Sequence, residues 1–174
     1  MNKLDKVARE VADSLKSQNL NIVFAESCTC GLLAATLGKI PGISQNFCGS
    51  AVTYQNDTKA NWLGISHQIL ENPGPVSEIV ARLMAENVLK KTPHADVAVS
   101  VTGHLGPDAE KKLDGVVYVG IGYRKFESGI EVTRLLLPDK YTEQTENHSL
   151  RLCRLDDLLL QIFKLLLQSL AEQS

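Results

Sequence analysis

The sequence predicts an α/β fold with three layers, α/β/α, around a mixed β-sheet. Segments with helical and strand-like periodicity alternate along the first hundred residues, which favours parallel strands covered by helices on both faces. Two strand-like runs follow at 115–123 and 129–137, on either side of a polar turn at 125–128. This second pattern is typical of a β-hairpin, so we expect antiparallel strands in the same sheet.

The first half of the chain alternates between predicted helices and strands, and local signals mark their ends. Apolar residues recur at helical spacing over 3–18, whereas 22–25 is the continuous apolar run of a buried strand. Pro41 stops the next helix, and Gly64 ends the one after it. The predicted elements are a helix over 3–18, a strand over 22–25, a helix over 30–38, a strand over 47–54 with Gly49 as its weak point, and a helix over 56–63.

The second half begins with a loop at 72–75, where the sequence is Asn-Pro-Gly-Pro. A helix is predicted from about Ser77 to Lys91, then a strand over 95–101, a polar loop over 104–114 and the hairpin. Leucines on one broad face predict a long helix from about 143 to 170. The sequence shows no repeat and no linker, so we expect residues 1–174 to form a single domain.

Composition excludes several classes of function. The net charge is -2, which leaves no basic surface for nucleic acid, and no apolar run approaches the ~20 residues of a membrane helix. The first residues lack the apolar segment of a signal peptide, and the four cysteines show no disulfide framework. We therefore expect a cytoplasmic protein with no nucleic-acid or membrane partner.

Metal and cofactor sites are not expected either. Cys28 and Cys30 are one residue apart without a second pair, and the histidines are scattered singly, which is a poor pattern for zinc. Among them, His104 lies in a loop expected near the site. No glycine-rich nucleotide fingerprint is present.

The segment most indicative of function is Ala25-Glu26-Ser27-Cys28-Thr29-Cys30-Gly31-Leu32-Leu33, directly after an apolar strand. A strand that runs through hydroxyl residues into a helix places them at a helix N-terminus, where free N–H groups favour an anion or a developing oxyanion. Ser27 is the candidate nucleophile and would need a nearby base. The alternative is that Ser27 only caps the helix.

Further segments along the chain support a functional interpretation of this motif. Together with it, they resemble in the same order the C-terminal domain of the CinA family, whose known activity is nicotinamide mononucleotide amidohydrolase. The segments are Pro41-Gly42-Ile43-Ser44, Val52-Thr53-Tyr54-Gln55-Asn56 with Lys59, Leu63-Gly64-Ile65, Gly74-Pro75-Val76-Ser77, Ala98-Val99-Ser100-Val101-Thr102-Gly103 and Gly106-Pro107-Asp108.

The resemblance implies that Ser27, Tyr54 and Lys59 are catalytic. If Asn56 starts a helix, Lys59 lies one turn in, and its side chain reaches back to the strand end that bears Tyr54. A lysine acts as a base only when its pKa falls toward neutrality through burial or a cationic neighbour. Taken alone, Tyr54 would be a strand aromatic and Lys59 a solvated charge on a helix.

The resemblance also implies a small nucleotide substrate, no cofactor and a homodimer. The substrate carbonyl or phosphate would be held by Thr29, Cys30, Gly31 and the N–H groups that follow them. The other expected binding residues are Asn56, Thr102, Gly103 and Arg151. The strand-end residues Thr102 and Gly103 would line the same crevice, since ligands of open α/β sheets bind at the carboxyl ends of strands. Without the resemblance, Thr102 and Gly103 are equally consistent with a simple turn.

Three positions depart from the family pattern. Cys30 replaces a glycine, and its side chain would crowd the site or redirect the backbone amides. The loop at 109–114 is shorter and lacks glycine, and His148 stands in place of an arginine that would bind phosphate. Two hypotheses follow: an amidohydrolase with weak or lost activity, or an inactive paralogue that binds another nucleotide-like ligand or a protein partner.

Overall fold

Five strands form one mixed sheet in a computed structural model that describes residues 2–106, 109–125, 129–139 and 149–173. The strands are β1 (Ile22–Glu26), β2 (Phe47–Val52), β3 (Val97–Gly103), β4 (Val116–Tyr123) and β5 (Ile130–Leu136). Their order across the sheet is β2-β1-β3-β4-β5. The β1 strand is parallel to both of its neighbours, and the β3–β4 and β4–β5 pairs are antiparallel, which confirms the predicted mixed sheet.

The described helices lie on both faces of this sheet. They are α1 (Lys3–Ser17), α2 (Leu32–Gly38), α3 (Asn56–Leu63), α4 (His67–Glu71), α5 (Glu78–Lys91) and α6 (Leu150–Glu172). Alternate residues of β1 point to opposite faces: Phe24 packs in a core with α1, α2 and α6, and Val23 packs in a second core with α3, α4 and α5. These two cores confirm the α/β/α layers. No helix in the described part of the chain is long and apolar enough to cross a bilayer.

Two predicted boundaries moved for reasons of backbone geometry. The helix predicted over 30–38 begins at Leu32, because Cys30 and Gly31 have φ angles of 52° and 91° in the left-handed region. The strand predicted over 47–54 ends at Val52. Gly49, its predicted weak point, has a φ of 138° beside an irregularity in the β1–β2 register, as in a β-bulge.

The remaining differences are small. The strand predicted over 95–101 is shifted to Val97–Gly103, and the short helix α4, capped by Ser66, was not predicted. The two hairpin strands pair as expected, and their turn at 126–128 lies outside the described residues. The described part of the last helix starts at Leu150. Its predicted start at 143–148 is likewise outside the described residues.

Candidate functional site

A cavity of about 170 Å³ lies where β1 and β3 end, beside the junction of β2 and α3. The carboxyl ends of parallel strands meet at the same edge of a sheet, which is where ligands of open α/β folds bind. Seven of the ten residues predicted for the site line this cavity, and they are Ser27, Tyr54, Asn56, Lys59, Thr102, Gly103 and Arg151. His104, which follows β3, lines it as well.

Ser27 and Lys59 form a buried pair in the cavity wall. Ser27 follows the last residue of β1, and its N–H donates to the carbonyl of Val101 on β3 at 3.1 Å. Lys59 lies one turn into α3, and its Nζ is 3.1 Å from Ser27 Oγ. The two residues are only 7% and 1% exposed. The predicted return of the lysine side chain to the strand end is therefore what the structure shows.

Burial shifts the protonation equilibrium of the Lys59 amine toward its neutral form. Burial lowers the pKa of Lys59 to about 8. The Nζ atom also donates to the carbonyls of Thr53 at 2.9 Å and Tyr54 at 3.1 Å. A neutral amine has two N–H donors and one lone pair, so two bonds to carbonyls leave the lone pair for the hydroxyl of Ser27. This arrangement has the geometry of a nucleophile with its base.

The side chain of Tyr54 takes part in a different contact. Its ring is 52% exposed, and its Oη accepts a hydrogen bond from Arg151 Nη2 at 3.0 Å. Arg151 Nη1 donates to the carbonyl of Gly106 at 3.0 Å, so one guanidinium joins two walls of the cavity. Tyr54 thus contacts Lys59 through its backbone carbonyl, and its phenol belongs to the arginine end of the cavity.

The N-terminus of α2 is occupied by the chain's own carboxylate, which corrects the expected position of a substrate anion. Glu26 is fully buried and accepts hydrogen bonds at 3.0 Å from the N–H groups of Leu33 and Ala34. The hydroxyls of Thr29 and Ser50 donate to the same carboxylate at 2.8 and 2.9 Å. These bonds use the N–H and hydroxyl donors that an anionic ligand would need, and the helix dipole already has its negative partner.

Three residues predicted to bind the substrate accordingly lie outside the lining of the cavity. Thr29 is fully buried against Glu26, and Cys30 is exposed. Gly31 is the residue before α2, and its φ of 91° is the reason for a glycine there. The sequence did carry a signal for the buried carboxylate, because an acidic residue at the end of an apolar strand needs hydrogen-bond donors.

The two predicted residues at the end of β3 line the cavity, but other contacts account for their identity. The Thr102 hydroxyl donates to the carbonyl of Pro75 at 2.8 Å and so holds the 72–75 loop against the sheet. A Cβ on Gly103 would lie 2.6 Å from a side-chain carbon of Val117 and 2.9 Å from the carbonyl of Val116. Close packing of β3 against β4 therefore requires a glycine at position 103.

Sequence reasoning missed a thiol and an ion pair near the site. Cys28 lines the cavity, and burial raises the pKa of its thiol to about 12, so it stays protonated and is not a second nucleophile. Arg154 is 1% exposed and binds Asp114 through two hydrogen bonds of 2.6 and 2.9 Å. The pattern of α6 predicted an apolar face, which gave no reason to single out this arginine.

Comparison with known proteins places this chain in a family. The model of the CinA C-terminal domain matches residues 4–154. The chain belongs to the CinA family. A CinA-like protein of Prochlorococcus marinus (strain MIT 9312) is 46% identical over 109 residues, which cover 62% of this chain and 26% of that protein. The chain spans about a quarter to a third of the length of the curated relatives it matches.

Solved structures of two competence/damage-inducible proteins share the fold over nearly the whole chain. The competence damage-inducible protein A from Klebsiella pneumoniae subsp. pneumoniae MGH 78578 has a TM-score of 0.86 at 23% identity, covering 99% of this chain and 100% of that one. The competence/damage inducible protein CihA from Agrobacterium tumefaciens has a TM-score of 0.84 at 28% identity, with coverage of 98% and 97%.

The structure shows where two of the three departures from the CinA pattern lie relative to the cavity. The side chain of Cys30 is exposed outside the cavity lining, so the predicted crowding of the site is not what the structure shows. The loop at 109–114 ends in Asp114, the partner of the buried Arg154. His148 lies outside the described residues.

Proposed function

We propose that this chain hydrolyses the carboxamide of nicotinamide mononucleotide, giving nicotinate mononucleotide and ammonia, with Ser27 as the nucleophile. The observation that carries the proposal is the buried contact of 3.1 Å between Lys59 Nζ and Ser27 Oγ. A lysine amine with a pKa of about 8 is neutral in about a tenth of the molecules at pH 7. Membership of the CinA family supports the choice of substrate.

In the first step, Lys59 takes the proton of the Ser27 hydroxyl while Oγ attacks the carboxamide carbon. The lysine then carries a positive charge beside the oxyanion that forms, which stabilises the tetrahedral intermediate. Its two bonds to the Thr53 and Tyr54 carbonyls are retained, so the amine keeps its position during the transfer.

In the next step, the protonated Lys59 returns the proton to the departing nitrogen, and ammonia leaves. The nicotinoyl group is then an ester of Ser27. A water molecule, deprotonated by Lys59, attacks this ester and releases the carboxylate product while the proton passes back to Ser27. One water is consumed, and one ammonia and one nicotinate mononucleotide are formed.

The arginine end of the cavity supports an anionic substrate. Arg151 uses one N–H of each terminal nitrogen for Tyr54 and Gly106, and its guanidinium has five in all. Three N–H groups remain on the guanidinium of Arg151, which lines the same cavity as the Ser27–Lys59 pair. A nucleotide with its carboxamide at Ser27 would place its phosphate toward this guanidinium, which binds phosphate through paired hydrogen bonds.

Release of ammonia from nicotinamide mononucleotide tests the proposal. We expect turnover by the unmodified chain and a loss on the order of 10⁴-fold in kcat for Ser27→Ala and for Lys59→Met, because either change removes one member of the pair. The control is Lys91→Met, which removes an exposed lysine at the end of α5.

Two results would contradict the proposal. Nicotinamide mononucleotide that stays intact with the folded protein would favour an inactive paralogue, and a panel of nucleotides in thermal-shift measurements would then test for retained binding. Turnover that survives Lys59→Met would instead remove the lysine from its role as base.

A further inference from the structure

An ion pair between the buried Arg154 and the partly exposed Asp114 supports the arginine end of the cavity. Arg154 lies on α6, one turn after Arg151, and both nitrogens of its fork bind the two carboxylate oxygens of Asp114. Its Nε donates to the carbonyl of Pro138 at 2.8 Å. The hydrogen bond from Arg154 lowers the pKa of the Asp114 carboxyl, which keeps the pair ionised. The pair therefore ties the start of α6 to the segments before β4 and after β5.

Two glycines pack directly against this ion pair. A Cβ on Gly106 would lie 2.9 Å from Arg154 Nη1 and 3.0 Å from Asp114 Oδ1. A Cβ on Gly115 would lie 3.3 Å from Arg154 Nη2 and 2.6 Å from the carbonyl of Leu137. Their φ angles of 66° and 72° also require glycine. The backbone at Gly106 is thus fixed against Arg154 and Asp114.

Gly106 connects the ion pair to the cavity. Its carbonyl accepts the hydrogen bond from Arg151 Nη1, and the same residue lines the cavity. We infer that Arg154 and Asp114 are positioning residues, which set the Gly106 carbonyl and thereby aim the Arg151 guanidinium at an anionic group of the substrate. This inference rests on the proposed function for the identity of the substrate, although anion binding itself is measured without turnover.

The test compares Arg154→Lys with the unmodified chain. Lysine keeps the charge but loses the fork that holds both oxygens of Asp114 and the carbonyl of Pro138. The matched control is Glu110→Gln, which changes an exposed carboxylate of the same loop whose ion pair, at 3.3 Å, is with the exposed Lys112. Dissociation constants for nicotinate mononucleotide and for inorganic phosphate are measured by calorimetry, together with kcat, KM and the melting temperature.

We expect Arg154→Lys to raise the dissociation constant of nicotinate mononucleotide and the KM of nicotinamide mononucleotide on the order of tenfold, with kcat changed less than about threefold. Nicotinamide riboside, which has no phosphate, should show no such change in its kinetic constants. Asp114→Asn, which leaves the arginine in place, should act in the same direction. Arg151→Ala should give the larger loss of binding.

Three outcomes would overturn the inference. The first is binding of the anions that is unchanged in Arg154→Lys and Asp114→Asn although Arg151→Ala weakens it. The second is an equal loss of kcat with nicotinamide mononucleotide and nicotinamide riboside. The third is that the unmodified chain binds neither nicotinate mononucleotide nor inorganic phosphate. If the unmodified chain binds nicotinate mononucleotide and the positioning variants weaken this, but no ammonia is released, the proposed function fails and the positioning role stands. If the variants unfold at the assay temperature, the same constants are measured below their melting temperature.

Discussion

At one end of the cavity Ser27 and Lys59 are buried and joined directly, whereas at the other end Arg151 is partly exposed and held by intermediates. Ser27 sits at the end of a central strand, and Lys59 sits one turn into a helix. Arg151 donates to the carbonyl of Gly106, and Gly106 packs against the ion pair of Arg154 with Asp114. Reactive groups need fixed positions relative to each other, and the sheet supplies them at one end. In the proposed function, the substrate phosphate is bound by Arg151 at a helix start, which loops hold in place.

The strongest test of this division is the pH dependence of kcat/KM. In the proposed mechanism the base is the neutral amine of Lys59, and protonation removes it, so activity should fall as the pH falls below the Lys59 pKa of about 8. We expect kcat/KM to rise about tenfold per pH unit from pH 6 toward 8 and to level off above it. Arg154→Lys should leave this midpoint unchanged. A rate that is flat between pH 6 and 8 would show that another group acts as the base.

Tyr54→Phe tests whether the Tyr54 phenol acts with Arg151 or with the Ser27–Lys59 pair. The change removes the acceptor of Arg151 Nη2 but keeps the backbone carbonyl that holds Lys59. We expect KM for nicotinamide mononucleotide to rise on the order of fivefold and kcat to change less, since a single hydrogen bond to a charged group is lost. If kcat instead falls by about two orders of magnitude while KM stays constant, the phenol acts with Ser27 and Lys59, as the resemblance implied.

The smallest effect is expected for Cys30→Gly. The left-handed φ of 52° strains a residue with a Cβ, so glycine should raise the free energy of unfolding by up to about 1 kcal/mol. The side chain is exposed outside the cavity lining, and kcat/KM should stay within about twofold. Urea unfolding and the ammonia assay measure the two effects.

The matched control for Cys30→Gly is Asn19→Gly. Asn19 also has a positive φ, and it lies before β1, outside the 25–33 motif. Its own effect should be confined to stability. If Cys30→Gly alone raises kcat/KM by about tenfold or more, this turn limits catalysis after all.

Much of the fold followed from local patterns, and one end of the site followed from the resemblance to the CinA family. Continuous and periodic apolar residues predicted the helices and strands that pack on the two faces of the sheet. The resemblance to the CinA family singled out Lys59, and its position one turn after Asn56 made a return of its side chain to the strand end reasonable. Boundaries were less exact where the backbone turns left-handed, as at Cys30, because a non-glycine residue gives no sign that it adopts a positive φ.

The sequence by itself determined the alternation of elements and the hydroxyl that follows β1, because periodicity and short spacings act within one segment. Only the tertiary structure decided which partner each charged group takes. Glu26 fills the α2 N-terminus with help from Ser50, 24 residues away, and Arg154 binds Asp114, 40 residues away. A buried charge is stable only with its hydrogen bonds complete, and the groups that complete them are set by how distant segments pack.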